Sequence, residues 1–238
     1  MNTVIELKDV SKSYGSTRGV LDLSFQISEG QIVGLLGPNG CGKTTLIKMI
    51  MGLLQPDRGD VLLGGTAPRE SLHLVSYLPE KTYLWESIKM EEAFEIFANF
   101  YPDFSVEKAR SILAEFQIDE ETPLRSMSKG MQEKAQLSLV MGRECKIYIL
   151  DEPMGGVDPL SRETILREIL LNYNPGSTML LSTHLVSEVE AIFERVLFMD
   201  QGRILEDVDV ERIRQMENLS VDAYFRKIYK NKEDRHVG

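Results

Sequence analysis

Residues 37–45 read Gly37-Pro38-Asn39-Gly40-Cys41-Gly42-Lys43-Thr44-Thr45, a complete match to the pattern G-x-x-x-x-G-K-[ST]. This pattern prescribes backbone as much as side chains. Glycines at 37, 40 and 42 let the chain wrap tightly, so that successive N–H groups converge on an anion. Lys43 can then reach the β- and γ-phosphates of a nucleotide, and the Thr44 hydroxyl can ligate Mg²⁺. The flanks agree. Gln31–Leu36 is a short apolar run that reads as a buried parallel strand, and Thr45–Met51 has helical spacing, which sets a helix N-terminus under the phosphates. Such a strand–loop–helix unit requires an α/β fold.

Length and charge bound the rest. A chain of 238 residues can form one large α/β domain with an inserted subdomain. The net charge of −10 argues against nucleic acid as a partner, which a basic surface would grip. No stretch approaches the roughly 18 apolar residues that cross a bilayer, and Met1–Glu6 lacks the features of a signal peptide. Two cysteines, Cys41 and Cys145, suit a reducing compartment. The expected location is cytoplasmic, with any membrane reached through a partner.

Along the chain, Val4–Val10 mixes apolar and polar residues before a turn at Ser13–Ser16, and Val20–Ile27 alternates strictly. Further strands are expected at Asp60–Gly65, Leu74–Leu78, Lys146–Leu150, Ser177–Ser182 and Arg195–Met199, most of them joined by helices into a parallel sheet. Between Trp85 and Gln136 the pattern turns helical: Met90–Phe100 stops before Pro102, and Ser105–Phe116 opens on a serine cap. The expected fold is therefore α/β, a P-loop NTPase core with a mostly parallel sheet, an N-terminal antiparallel β subdomain and an inserted helical subdomain. It is one domain, 1–238. Residues 1–84 and 137–205 form the core, 85–136 the helical part and 206–238 a C-terminal helical tail. The apolar stripe of Val221–Lys230 reads either as docking onto its own domain or as a partner surface.

A second constellation completes a catalytic site. Ile147–Leu150 ends in Asp151 and Glu152, so a buried strand delivers two carboxylates to the sheet edge where the phosphate loop lies. Asp151 is placed to hold Mg²⁺ and Glu152 to activate water as general base. Ser182-Thr183-His184 ends another strand of the same sheet, where a ring N–H of His184 could touch the γ-phosphate and the water. Cys41 reads either as a small filler or as a thiol activated at a helix N-terminus.

With these motifs in this order, the chain resembles the ATP-binding subunit of ABC transporters over nearly its whole length. On that resemblance Tyr14 stacks on adenine, and Ser126-Met127-Ser128-Lys129-Gly130-Met131-Gln132 stands at the signature motif. Gly156-Val157-Asp158-Pro159 is then the D-loop, contributing Asp158, and His184 is the switch histidine. There are two departures. Lys129 and Met131 replace a signature Gly and Gln, while Ser128 and Gly130 are kept. Glu80, in Tyr77-Leu78-Pro79-Glu80, replaces the usual Gln and could itself coordinate Mg²⁺. Both, together with Tyr101-Pro102-Asp103-Phe104, look like the subclass serving bacterial ABC-2-type exporters. The resemblance implies a head-to-tail dimer with a second ATP-binding subunit, identical or related. It sandwiches two ATP molecules, with Ser128, Lys129, Gly130 and Met131 of one chain acting on the ATP of the other. It further implies an integral membrane permease that docks between the helical subdomain and the core, holding the chain at the inner face of the membrane. The rival reading is an ABC-type ATPase that regulates or remodels without transport.

Overall fold

The computed structural model describes residues 2–15 and 17–236; Met1, Ser16, Val237 and Gly238 lie outside them, and the turn expected at Ser13–Ser16 ends on Ser16. The N-terminal strands β1 (Thr3–Tyr14) and β2 (Thr17–Ser28) form an antiparallel pair, joined on the other side of β1 by β4 (Arg58–Leu63). The larger sheet uses β3 (Ile32–Leu36), β5 (Val75–Leu78), β6 (Ile147–Asp151), β7 (Thr178–Thr183), β8 (Arg195–Asp200) and β9 (Arg203–Asp209). Its order is β5-β6-β7-β3-β8-β9, parallel throughout except for the last pair. The order reverses direction around β3, and the phosphate loop leaves β3 at that switch point, where open α/β sheets bind ligands.

The two-residue period of the parallel strands divides the interior into two cores. In β6, Ile147 and Ile149 face the side that holds the antiparallel sheet and the helix Lys43–Ile50, together with Leu35 and Leu180. Tyr148 and Leu150 face the opposite side, with Leu181, Phe198 and the helical subdomain. Burial on both faces explains why these strands read as unbroken apolar runs.

The helical subdomain carries Met90–Phe100 and Val106–Glu115, the second capped by Ser105 Oγ, which accepts from Lys108 N at 3.2 Å. Two expected boundaries are crossed. The helix Lys129–Met141 runs unbroken past residue 136, because its apolar face continues across the sheet through Leu137 and Val140. The strand β9 runs past residue 205 into the segment expected to be helical tail. Its acidic residues hid it: Arg195 pairs with Asp207 at 2.5 Å across the hairpin. Arg143, just beyond the long helix, ties the subdomain to the sheet edge. Its guanidinium donates to both carboxylate oxygens of Asp103 at 2.9 Å, to His73 O at 2.8 Å and to Val75 O, and lies 3.9 Å over the Tyr101 ring. This gives the Tyr101–Phe104 stretch a structural task.

Candidate active site

The phosphate loop takes its shape from close backbone contacts. A Cβ at Gly37 would stand 2.3 Å from Met199 O and 2.6 Å from Cys41 Sγ, so only glycine fits there. Gly42 has φ of 113° and precedes the helix Lys43–Ile50, which has no side-chain cap. Its first-turn N–H groups are left for an outside acceptor, as an anion site needs.

Lys43 is 5% exposed and folds back over the loop, donating to Gly37 O at 2.7 Å and Pro38 O at 3.3 Å. Its Nζ also lies 3.2 Å from Glu152 Oε1 as an ion pair, without hydrogen-bond geometry. The other Glu152 oxygen meets His184 Nδ1 at 2.9 Å. Glu152 sits at φ of 51°, a left-handed conformation that costs energy in a residue with a Cβ. That turn lets it follow Asp151 yet point out of the strand: the Glu152 N–H bonds Ser182 O at 3.1 Å while the carboxylate reaches Lys43 and His184. The phosphate loop, β6 and the end of β7 thus meet in one charged cluster.

Asp151 is fully buried. Ser182 Oγ donates to its Oδ1 at 2.5 Å, and the register of β6 on β7 puts these two residues opposite each other. Burial pushes the Asp151 pKa up; hydrogen bonds from Ser182 and Thr44 oppose this, and Glu80 and Glu152 add to it. Its Oδ2 has no hydrogen-bond partner. A buried, unpartnered carboxylate oxygen beside the Thr44 hydroxyl fits a hard cation. Among the described residues no group of three His, Cys, Asp or Glu side chains forms a metal cage by itself. A cation here would need oxygens from a bound phosphate, as Mg²⁺ commonly does.

A cavity of about 500 Å³ opens above this cluster. The structure brings Asn39, Gly40, Gly42, Lys43, Thr44 and Thr45 to it, with Glu80, Lys129, Glu152 and His184. Gly37, Pro38, Cys41 and Asp151 are not on its lining. Ser128, Gly130 and Met131 also lie outside the lining, and Asp158 caps the helix Pro159–Asn172, accepting from Ser161 N at 3.1 Å. Tyr14 is 48% exposed at the end of β1, away from the cavity. Gly19 lies between it and the loop: a Cβ there would touch the Tyr14 ring at 3.0 Å, and Gly19 O packs against Gly42.

Of the two readings of Cys41, the small filler is the one that the structure favours. The thiol is buried, and burial pushes its pKa up more than Lys43 lowers it. Sequence reasoning missed Ser182 as a site residue, although it stands two places before His184. It also missed Glu133, which lines the cavity with its Oε2 unpartnered. Nothing in the spacing marked Glu133, which is one of several charges on its helix.

Residues 20–155 match the family described as ABC transporter. The SkfA peptide export ATP-binding protein SkfE of Bacillus subtilis is 30% identical over 219 residues, covering 89% of this chain and 92% of that protein. The bacitracin transport ATP-binding protein BcrA of Enterococcus faecalis is 31% identical over 224 residues, covering 90% and 72%. A solved ATP-binding subunit of an ABC transporter superposes with a TM-score of 0.82 at 29% identity, covering 95% of this chain and all of that one. Together with a phosphate loop, a strand-end carboxylate pair and a histidine in one cluster, these likenesses decide the matter: the chain belongs to the ABC transporter family, as one of its ATP-binding, ATP-hydrolysing proteins.

Proposed function

We propose that this chain powers an exporter. Two ATP-binding subunits close head to tail on two ATP molecules, and the closure drives a separate membrane permease. The observation that carries the reading is the separation of two anion-binding elements: Lys43, Glu152 and His184 form a joined cluster in the cavity, while Ser128 lies outside its lining, exposed at the start of another helix. The name of one relative supports the direction of transport: SkfE is named for peptide export, while BcrA is named for bacitracin transport without direction.

In this reading the N–H groups of residues 37–45 hold the phosphates, Lys43 leaves Glu152 for the β/γ-oxygens, and Tyr14 stacks on the adenine. Freed from Lys43, Glu152 takes the proton of the attacking water, an effect worth about 10²–10⁴ in rate. His184 holds Glu152 in place and can donate to the γ-phosphate. Thr44, Asp151 and Glu80 would hold Mg²⁺, which when bound offsets charge on the phosphate oxygens. Ser128, Lys129, Gly130 and Met131 act on the partner's ATP, and Asp158 sits at the seam between subunits. The chain works as one domain, its helical part joined to the core by the unbroken helix Lys129–Met141 and its tail beginning after β9.

Among the described residues no helix is long and apolar enough to cross a membrane. Transport therefore needs a permease, and a second cavity of about 490 Å³, lined by Leu72, Tyr83, Phe97 and Phe100 next to Pro79, suits an apolar helix from it. Docked there, the chain lies on the cytoplasmic face of the membrane.

Glu152→Gln tests the reading. The variant is expected to bind ATP, to lose phosphate release by about 10² or more, and to sediment as a dimer with Mg-ATP; full turnover would reject Glu152 as the base. Affinity purification from detergent-solubilised membranes is expected to retain an integral membrane protein, and a purely water-soluble partner would favour a non-transport role.

A further inference from the structure

The C-terminal helix Val221–His236 closes the floor under the phosphate loop. Its Tyr229 hydroxyl donates to Met199 O at 2.7 Å and lies 3.5 Å from Leu36 O. Those carbonyls belong to β8 and β3, whose last register pair is Leu36 with Phe198. Directly beyond Leu36 the chain turns into Gly37, and Met199 O is the atom against which Gly37 packs. The β8–β9 turn holds the loop from the same side, Gly202 N donating to Cys41 O at 2.8 Å. One hydrogen bond therefore separates the tail helix from the backbone on which the loop rests.

The phenol is fixed by its neighbours. The Phe225 ring lies 4.4 Å from that of Tyr229 between centroids, and 6.3 Å from that of Phe198. At the start of the helix, Asp222 N donates to Glu190 Oε2 at 2.8 Å, in the segment that follows His184. The helix thus bridges the two ends of the site. Burial, reinforced by Cys41 and Asp200, pushes the Tyr229 pKa well above its ordinary value, so the group remains a neutral donor.

We propose that Tyr229 is a positioning residue for the phosphate loop: it holds the Met199 carbonyl where Gly37 can turn, and the seating of the C-terminal helix thereby sets nucleotide affinity. A loop that binds through its backbone N–H groups holds an anion only where those groups converge, so a small displacement weakens binding. The inference rests on residues 37–45 being the nucleotide site.

The test titrates the full chain with a non-hydrolysable imido analogue of ATP and Mg²⁺. Tyr229→Phe is expected to raise the dissociation constant about fivefold, the scale of one hydrogen bond. Steady-state ATP turnover should show the same rise in KM with kcat nearly unchanged, and the melting temperature should fall by no more than about 4 °C. Tyr224→Phe is the control. It removes from the same helix a hydroxyl that bonds Glu206 at 2.7 Å, away from the loop, and should leave affinity as in the parent. Unchanged affinity in Tyr229→Phe, or equal losses in both variants, would overturn the proposal. A parent chain that fails to bind the analogue would instead reject the nucleotide site itself.

Discussion

The helix Lys43–Ile50 and the helix Lys129–Met141 both start at or beside the cavity, yet they are finished differently. The first has no side-chain cap and begins in a residue that is 5% exposed. The second is capped by its own Ser128, whose Oγ accepts from Met131 N at 3.3 Å, and begins in Lys129, whose side chain is 75% exposed. Around the first, Asp151, Glu152 and Ser182 are locked in place by hydrogen bonds and ion pairs. Around the second, Lys129 pairs with Glu133 at 3.7 Å across one helical turn. One end is preorganised for a ligand; the other is stable alone, its cap supplied by its own Ser128. The enclosed end should govern binding in single copies, and the open end should govern turnover in pairs.

The largest effect should come from the enclosed end. Lys43→Ala is expected to weaken nucleotide binding in the isolated chain and cut phosphate release by about 10³. Retained affinity would mean that the backbone cradle suffices and the contrast is overdrawn. Next comes Ser128→Ala, with a loss of about 10–100-fold in turnover. Isolated-chain affinity should be unchanged, and about 1 kcal/mol of stability should be lost with the helix cap. Calorimetric titration separates the two: a drop in isolated-chain affinity comparable to that of Lys43→Ala would break the comparison.

The smallest effect should be a gain. The Asp151 pKa is raised in the fold, so the folded chain holds this proton more tightly than the unfolded one. Stability due to this group therefore falls as pH rises above the ordinary carboxylate range. Asp151→Asn should melt higher than the parent at pH 7 without nucleotide, and the gap should close towards pH 4 in thermal melts across that range. A gap independent of pH would place the cost elsewhere.

The enclosed end was also the more legible one. Glycine, lysine and threonine at fixed spacing, an apolar strand before them and two acids after another such strand are local signals, and each lands where backbone geometry requires it. What escaped was set by tertiary pairing. Ser182 matters because of a register shared with Asp151, which no single segment displays. The strand β9 was obscured by Glu206, Asp207 and Asp209, although Gln201-Gly202, with φ of 45° and 79°, is a two-residue hairpin turn of the kind that marks such a pair. The tail helix was visible as an apolar stripe. Its aromatic residues gave no sign of which surface they would cover, and that surface is Phe198 with the floor of the loop.

The helix that starts at Ser128 runs without a break almost to Arg143, where Asp103 and two carbonyls of the sheet edge grip it. At 1.5 Å per residue it is a stiff rod of roughly 20 Å. Its second half is buried, with Ala135, Leu137, Leu139, Val140 and Met141 in the core, so the place of Ser128 at the far tip is dictated from the Arg143 end of the rod.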